Sequence, residues 1–312
     1  MRVGYKAHRG LSEHVTPPLW SPGSRLSFST DTFVVQPLFF PGGNIGHLAV
    51  CGTVNDVATA GAVPLWLSVG FVLEEGFPVN DLRRILHSMA DVAAEAGVQI
   101  VTGDTKVVEA GAADGIFINT AGIGVMRADV ALSAANCRPG DAILLSGSIG
   151  DHGICIISQR EGLTFSTDIE SDAAPLAQLC AAVLDVAGDT RCFRDPTRGG
   201  LASALNEIAA ASGVGMLIDE DSVPVKDQVR GACEMLGFDV FQVANEGKMI
   251  AVVPQEQAEA ALAAMRETPY GADAAIIGQV TDGVAGRVNL RNAFGATRIM
   301  DMLVGEQLPR IC

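Results

Sequence analysis

Three aspartates stand beside small or polar residues where a chain turns or ends an element: Asp31 in Ser29-Thr30-Asp31-Thr32, Asp56 in Val54-Asn55-Asp56-Val57, and Asp104 in Gly103-Asp104-Thr105-Lys106. Carboxylates brought from separate elements suit a hard cation such as Mg²⁺, which takes oxygen ligands and bridges to phosphates. Each of them alone also reads as a helix cap or an Asx turn. Lys106 is either a point charge for a phosphate or developing anion, or a solvated loop lysine. In Arg194-Asp195-Pro196-Thr197-Arg198-Gly199-Gly200 the paired glycines open a helical stretch, where backbone N–H groups and the helix dipole favour an anion. Asn245-Glu246-Gly247-Lys248 places a carboxylate in a turn, as a base or merely in solvent. His152, in Gly150-Asp151-His152-Gly153, is a turn histidine or a contact to phosphate or ligand. The chain ends Leu308-Pro309-Arg310-Ile311-Cys312, with a thiol and the terminal carboxylate on one residue. Chain ends fray, so Cys312 adds little to a core and has reach.

Composition narrows what these residues can serve. A formal net charge of −15 disfavours nonspecific binding to nucleic acid or an anionic membrane, which needs clustered Lys and Arg. A phosphate ligand therefore needs local help from Lys, backbone N–H groups or a divalent cation. Neither a G-x-x-x-x-G-K-[ST] loop nor a strand-linked G-x-G-x-x-G is present, which excludes the ordinary P-loop and Rossmann readings. The seven cysteines are scattered without a C-x-x-C pair or metal-ligand spacing, which points to a reducing compartment and, for most of the first six, to small core residues. No signal peptide or membrane-length apolar run stands out, so a cytoplasmic protein is expected.

The elements that must position these residues follow from pattern. With 48% hydrophobic and 18% charged residues over 312 positions, two packed domains are expected. Residues 1–26 are Pro-rich and without period, and read as irregular. Ser27 to Val35 reads as a strand, Ile45 to Ala60 as a helix capped by Asn44 and ended by Gly61, and Leu65 to Leu73 as a buried strand. Val79 to Ala96 reads as an amphipathic helix and Val98 to Thr102 as a short strand. Gly103 to Lys106 reads as a polar loop before a strand pair around 115–125. A boundary near Ala134 separates an N-terminal domain, 27–134, from a C-terminal one, 135–304. The second contains strands near 142–146, 215–219, 249–253, 274–280 and 286–291, and helices near 174–187, 200–211, 226–236 and 255–267. Strands and helices alternate in each half, which predicts an α/β or α+β layered architecture. The halves show no convincing repeat. Thr297 to Val304 reads as a short helix, leaving 305–312 as a mobile tail. Eight residues at about 3.3 Å each span on the order of 25 Å, enough to move a thiol between sites.

Taken together these segments resemble the HypE family of hydrogenase maturation factors. That family lies in the PurM-like superfamily with aminoimidazole ribonucleotide synthetase, selenophosphate synthetase and thiamine monophosphate kinase. The resemblance rests on Phe28 to Val35, Pro37 to Gly46, Gly52-Thr53-Val54-Asn55-Asp56-Val57-Ala58, Leu73 to Gly76, Gly103 to Val108, Gly150 to Gly153, Asp195 to Gly200, Ala244 to Lys248 and the Leu308 to Cys312 tail. It runs from about Ser27 to the end, and the tail distinguishes the family within the superfamily.

The resemblance implies a two-domain fold whose N-terminal mixed sheet forms a homodimer. It also implies an enzyme, a carbamoyl dehydratase. The partner HypF carbamoylates the terminal cysteine, ATP drives dehydration of the S-carboxamide to an S-cyanide, and the cyanide passes to iron on the HypC–HypD complex for the [NiFe]-hydrogenase site. Amide oxygen is a poor leaving group, and its phosphorylation lets it depart as phosphate. By motif, Asp31, Asp56 and Asp104 are implied as Mg²⁺ ligands. Asn55, Thr105, His152, Asp195, Arg198, Gly199, Gly200 and Asn245 join them around ATP. Cys312 carries the substrate, Glu246 is the candidate proton acceptor, and Lys106 the electrostatic stabiliser. Residues 1–26 depart from the family's His- and Gly-rich opening segment, thought to fold over the ATP phosphates, so ATP affinity and turnover follow less directly than membership. The same departure argues against selenophosphate synthetase, whose reactive residue lies there.

Two rival functions differ in testable ways. A related enzyme acting on a free small substrate would keep its activity in a chain ending at Ile311. A non-enzymatic thiol carrier would bind no Mg-ATP and leaves Asp31, Asp56, Asp104 and the Asp195 to Gly200 loop without a task.

Overall fold

The computed structural model describes residues 23–162, 169–302, 305 and 310–312. Most of the segment expected to be irregular, 1–22, and tail residues 306–309 lie outside the described residues. The first half runs β1 (Leu26–Phe33), β2 (Phe39–Phe40), β3 (Gly43–Asn44), α1 (Ile45–Thr59), β4 (Ala62–Glu74), α2 (Val79–Glu95), β5 (Gln99–Val108) and β6 (Ile116–Met126). Its four-stranded sheet has the order β1-β6-β4-β5, antiparallel except for the parallel β4–β5 pair that α2 connects.

Sequence-local chemistry accounts for both helices. Asn44 caps α1, its Oδ1 accepting from Gly46 N at 2.8 Å and His47 N at 3.2 Å. Gly61 turns the chain out of α1 at φ +74°, a conformation that favours glycine. Helix α1 is buried nearly all round, from Ile45 through Ala58, so its apolar residues form no single stripe. Helix α2 is amphipathic, with Ile85, Met89, Val92 and Ala93 turned into the core.

The second half runs β7 (Ala142–Leu145), α3 (Asp151–Glu161), α4 (Ala177–Val186), β8 (Cys192–Arg194), α5 (Gly200–Ser212), β9 (Gly215–Asp219), α6 (Asp227–Leu236), β10 (Ile250–Val253), α7 (Ala258–Arg266), β11 (Ala275–Thr281), β12 (Val288–Arg291) and β13 (Thr297–Ile299). Its sheet has the order β13-β12-β9-β11-β7-β10-β8, and only β9–β12 is parallel. All four residues of β7 and of β10 are buried, as expected for central strands covered on both faces. A single apolar cluster contains Phe33, Leu48 and Val54 of the first half and Ile143, Leu145 and Leu201 of the second, so the halves share a core.

Four expectations are corrected. Gly103 to Lys106 is not a loop: the residues continue β5, with Asp104 opposite Gly70 and Lys106 opposite Val72. β-branched Val101, Thr102, Thr105, Val107 and Val108 hold the strand, and Gly103 allows close approach where a Cβ would meet Val69 O at 2.6 Å. The stretch expected to hold a strand pair around 115–125 forms the single strand β6, Ile116–Met126, bonded to β1 on one side and β4 on the other. Thr297 to Ile299 pairs with β12 rather than starting a helix, because Asn292 Oδ1 accepts from Phe294 N and Ala296 N and turns the chain into a hairpin. His152 stands in the first turn of α3, a helix bracketed by Gly150 at φ +86° and Gly162 at φ +64°.

Candidate active site

Asp31 lies on β1 opposite Thr120 of β6, and Asp56 lies in the last turns of α1, which packs across that sheet. Asp195 follows β8, Arg198 precedes α5, and Glu246 lies in the segment that leads into β10. These five residues line one cavity of about 240 Å³ together with Cys312. A larger cavity of about 610 Å³ opens between Phe39, His47, Arg84 and Asp91 and contains none of them. The smaller one is therefore the candidate site, because the reactive groups converge there.

Its electrostatics are those of crowded carboxylates. Burial raises Asp31, against the Thr32 N–H it accepts at 2.7 Å and the charge of Arg198. Burial pushes Asp56 up to about 6, opposed by the Ser29 hydroxyl that donates to it at 2.7 Å and reinforced by Asp195 and Asp31. Asp195 is raised by burial, with Arg194 opposing. Glu246 is fully buried and raised well above the ordinary glutamate range, first by desolvation and then by Asp195, Asp172, Asp31 and Asp56. Its Oε1 has no hydrogen-bond partner. A pocket of this kind holds protons tightly and favours a cation.

That crowding has a stability cost with a definite sign. A carboxyl whose folded pKa lies above its unfolded value makes its favourable contribution below the unfolded value and loses it as pH rises through the folded one. For Asp56 the window runs from about 4 to about 6. The penalty at pH 8 is on the order of 1–3 kcal/mol, the lower end applying because Asp56 is partly exposed to water. Asp56→Asn is therefore expected to raise the melting temperature of the nucleotide-free protein at pH 8 by roughly 2–6 °C and to flatten its pH dependence. An unchanged or lower melting temperature at pH 8 contradicts the charge crowding.

The remaining motif residues lie behind the cavity rather than on its wall. Asn55 is buried, donating to Ala174 O at 3.0 Å and Glu246 O at 3.4 Å and accepting from Leu176 N at 2.8 Å. Asn245 accepts from Gly150 N at 2.7 Å and donates to Pro196 O at 2.9 Å. Both asparagines are struts behind the cavity rather than walls of it. Gly199 caps α5 at φ +73°, and Gly200 follows at φ +61°, where a Cβ would meet Val243 O at 2.5 Å. His152 is buried and faces the backbone of Ile311.

Asp104, Thr105 and Lys106 do not join the cavity. They sit on the exposed strand β5, where Lys106 pairs with Asp104 at 2.5 Å. Asp31, Thr120, Val69 and Gly103 occupy one row across the sheet, which places Asp104 three strands away from Asp31, about 14 Å at the usual strand spacing.

Four cavity residues, Thr30, Gly52, Arg194 and Thr197, were not among the predicted site residues, and two of them shape the site. Arg194 stands beside Asp195 and pairs with Glu207 at 2.6 Å, and its adjacency to the Asp195 to Gly200 motif was the available signal. Gly52 lies inside α1, where glycine costs about 1 kcal/mol relative to alanine. A Cβ there would meet the Phe33 ring at 2.9 Å, so this glycine lets α1 pack closely against Phe33 beside the cavity.

The tail is seen in one docked position. Val34 N–H donates to Cys312 O at 3.0 Å and Gln36 N–H to Arg310 O at 3.3 Å, and Ile311 is buried. Cys312, half-buried, thus lies on the cavity wall, while the other six cysteines are buried and no disulfide forms.

Comparison with known proteins places this arrangement. The sequence profile of the AIR synthase related protein N-terminal domain matches residues 15–126, and that of the C-terminal domain matches residues 138–291. The carbamoyl dehydratase HypE of Cupriavidus necator is 57% identical over 290 residues, covering 93% of this chain and 83% of that protein. A crystal structure of hydrogenase maturation protein HypE in complex with ATP superposes with a TM-score of 0.90 at 53% identity, covering 92% of this chain and 87% of that one. The crystal structure of a HypE–HypF complex gives a TM-score of 0.87 at 51% identity, covering 89% and 90%. The chain belongs to the carbamoyl dehydratase HypE family, on the AIR synthase related fold.

Proposed function

We propose that this protein is the ATP-dependent dehydratase that turns an S-carboxamide on its own Cys312 into an S-cyanide for hydrogenase maturation. The observation that carries this reading is the placement of Cys312 on the wall of the cavity that holds Glu246, Asp31 and Asp56. HypF supplies the carbamoyl group, and the HypC–HypD complex accepts the cyanide at iron. The overall change is R–S–C(=O)–NH₂ plus ATP to R–S–C≡N plus ADP and phosphate. The amide oxygen leaves within the phosphate and both nitrogen protons are lost. Glu246, buried with one oxygen lacking a hydrogen bond, accepts a nitrogen proton. Arg194 and Arg198 face the cavity as phosphate-binding cations, which a pocket this acidic requires.

Among the described residues no three acidic, histidine or cysteine side chains cluster to hold a metal ion by themselves, so Mg²⁺ would arrive with ATP and take Asp31 and Asp56 as its protein ligands. Asp31 and Asp56 offer hard oxygen ligands from separate elements, and Asp195 adds negative charge. When bound, Mg²⁺ supplies charge neutralisation between these carboxylates and the phosphates. The cytoplasm is the proposed location, supported by seven cysteines without a disulfide. Among the described residues no helix is long and apolar enough to cross a membrane.

Asp104, Thr105 and Lys106 are proposed to serve the site of a second copy. Strand β5 is an edge exposed along nearly its whole length, with Val101 45% and Val107 66% exposed. Such an unpaired, exposed edge strand is a ready template for pairing. Val107→Asp is expected to give a monomer in sedimentation equilibrium and to lose turnover with Lys106 intact. A dimer that survives this change disposes of the β5 interface.

The direct test of function is the mass of the C-terminal peptide after incubation with HypF, carbamoyl phosphate and ATP. A carbamoyl adduct that loses one water only when ATP is present supports the reading, and an unmodified Cys312 sinks it.

A further inference from the structure

The histidine of the Gly150 to Gly153 segment has a geometry that nucleotide binding does not explain. His152 is completely buried in the first turn of α3, and its Nε2 lies 2.8 Å from the carbonyl oxygen of Ile311, the residue before the reactive cysteine. A carbonyl only accepts, so Nε2 carries the proton. The other nitrogen, Nδ1, lies 2.7 Å from Ser171 Oγ, and that oxygen accepts in turn from Ala173 N at 3.1 Å. The Ser171 hydroxyl therefore donates to Nδ1, which fixes one neutral tautomer. Burial, lowering the His152 pKa, favours the same neutral ring. The edge contact with the Phe40 ring, centroids 5.7 Å apart at 88°, sets the plane of the imidazole.

The tail meets this histidine at a point of backbone constraint. Arg310 adopts φ +57°, unusual for a residue other than glycine. It is held there by its ion pair with Asp114, by the Arg160 guanidinium donating to its carbonyl at 3.0 Å, and by Gln36 N–H. The turn at Arg310 brings the Ile311 carbonyl to His152 and its side chain into the core, and it leaves Cys312 on the cavity wall.

We propose that His152 is a positioning residue for the dehydration step, which fixes the S-carboxamide in front of Glu246 by donating Nε2–H to the Ile311 carbonyl. The kinetic part of this inference rests on the proposed dehydratase activity. The docking part does not. The hydrogen bond is available only to the docked tail, so it biases the chain end between the dehydration site and the solvent-exposed positions where HypF and the cyanide acceptor must reach it. His152 does not line the cavity, and its loss is expected to leave nucleotide binding intact.

The test uses the full chain with His152→Gln, which keeps a donor near the Nε2 position, and His152→Met, which keeps bulk without a donor. Ile311→Ser, made on the tail, guards against misfolding around a buried histidine. Carboxypeptidase release of Cys312 reads docking without any assumption about chemistry. It is expected to be on the order of 10-fold faster for His152→Met and Ile311→Ser than for the unaltered chain, with His152→Gln close to the unaltered rate. Single-turnover dehydration of pre-carbamoylated protein at saturating ATP is expected to slow by a similar factor in His152→Met, with ATP affinity by calorimetry unchanged. Equal release of Cys312 from His152→Met and the unaltered chain overturns the proposal. Faster release with an unchanged dehydration rate overturns the positioning role and leaves the tail contact. No dehydration in the unaltered chain refutes the functional reading while leaving the docking test valid.

Discussion

Cys312→Ala is expected to accept no carbamoyl group from HypF and to yield no cyanide, with a fold and ATP affinity indistinguishable from the unaltered chain. The reason lies in how the seven cysteines are distributed. Six are buried, and burial pushes their thiols away from reactivity: Cys233 is raised to about 11 and Cys155 to about 12, and Cys51 and Cys180 are raised by the same cause. Cys137 differs, held low by a contact to the Cys192 sulfur at 3.7 Å, but it is itself buried. No second thiol stands in for the terminal one. The variant keeps the backbone contacts of the tail, since Val34, Gln36 and His152 all bond to main-chain oxygens of residues 310–312. Loss of one half-buried sulfur costs under about 1 kcal/mol. The loss of function is therefore chemical. Mass spectrometry of the C-terminal peptide with HypF, carbamoyl phosphate and ATP reads it, and carbamoylation at any other cysteine at the normal rate would refute the assignment.

The separation of this thiol from the rest was legible in the sequence because a chain end has reach, whereas Cys51 sits among Ala49, Val50 and Gly52; that Cys312 also packs, half-buried, against the core was not. The cavity was legible for a different reason. Asp31 and Asp56 stand beside small or polar residues at element ends, and Asp195 and Glu246 lie in short Gly-bearing motifs, so each could be read as a turn carboxylate able to converge with the others. Of the four, only Glu246 is buried. The second part of strand β5, from Gly103 on, was not legible. Its Gly-Asp-Thr-Lys core looks like a loop because the strand has no covered face in this chain, and without one there is no alternation of apolar and polar residues to read. The polar sequence that hid the strand is the same feature that leaves Asp104 and Lys106 available to another copy.

Long-range contacts escaped for a simpler cause. His152 and Ile311 are 159 residues apart, and a histidine between glycines carries no mark of the carbonyl it will meet. Asn55 and Asn245, expected from the resemblance around ATP, act as struts in this structure, because a buried amide satisfies several backbone groups at once. Both roles preserve the cavity. Asn55 ties α1 to the carbonyl of Glu246, and Asn245 ties the neighbouring residue to the start of α3, so Glu246 is braced from both sides. The Glu246 N–H adds a third brace, donating to Asp172 Oδ1 at 3.0 Å.

Glu246→Gln is expected to separate the two halves of the reaction. Carbamoylation of Cys312 proceeds, because it occurs on the tail presented to HypF, and the S-carboxamide then persists in the presence of ATP. Glutamine matches the size of glutamate, and the main-chain braces are independent of the carboxyl, so the pocket keeps its shape. What is lost is the proton acceptor, worth about 10²–10⁴-fold in rate. The acid form of Glu246 is favoured by burial and by Asp195, Asp172, Asp31 and Asp56, so the base form appears only as pH rises. Dehydration in the unaltered chain should accordingly increase with pH along a limb lying above the ordinary carboxylate range, and Glu246→Gln should lose that limb along with its rate. Rapid-quench sampling of the C-terminal peptide across pH gives both quantities from one experiment. Cyanide formation by the variant at the normal rate, with the same pH limb, would move the base elsewhere in the cavity.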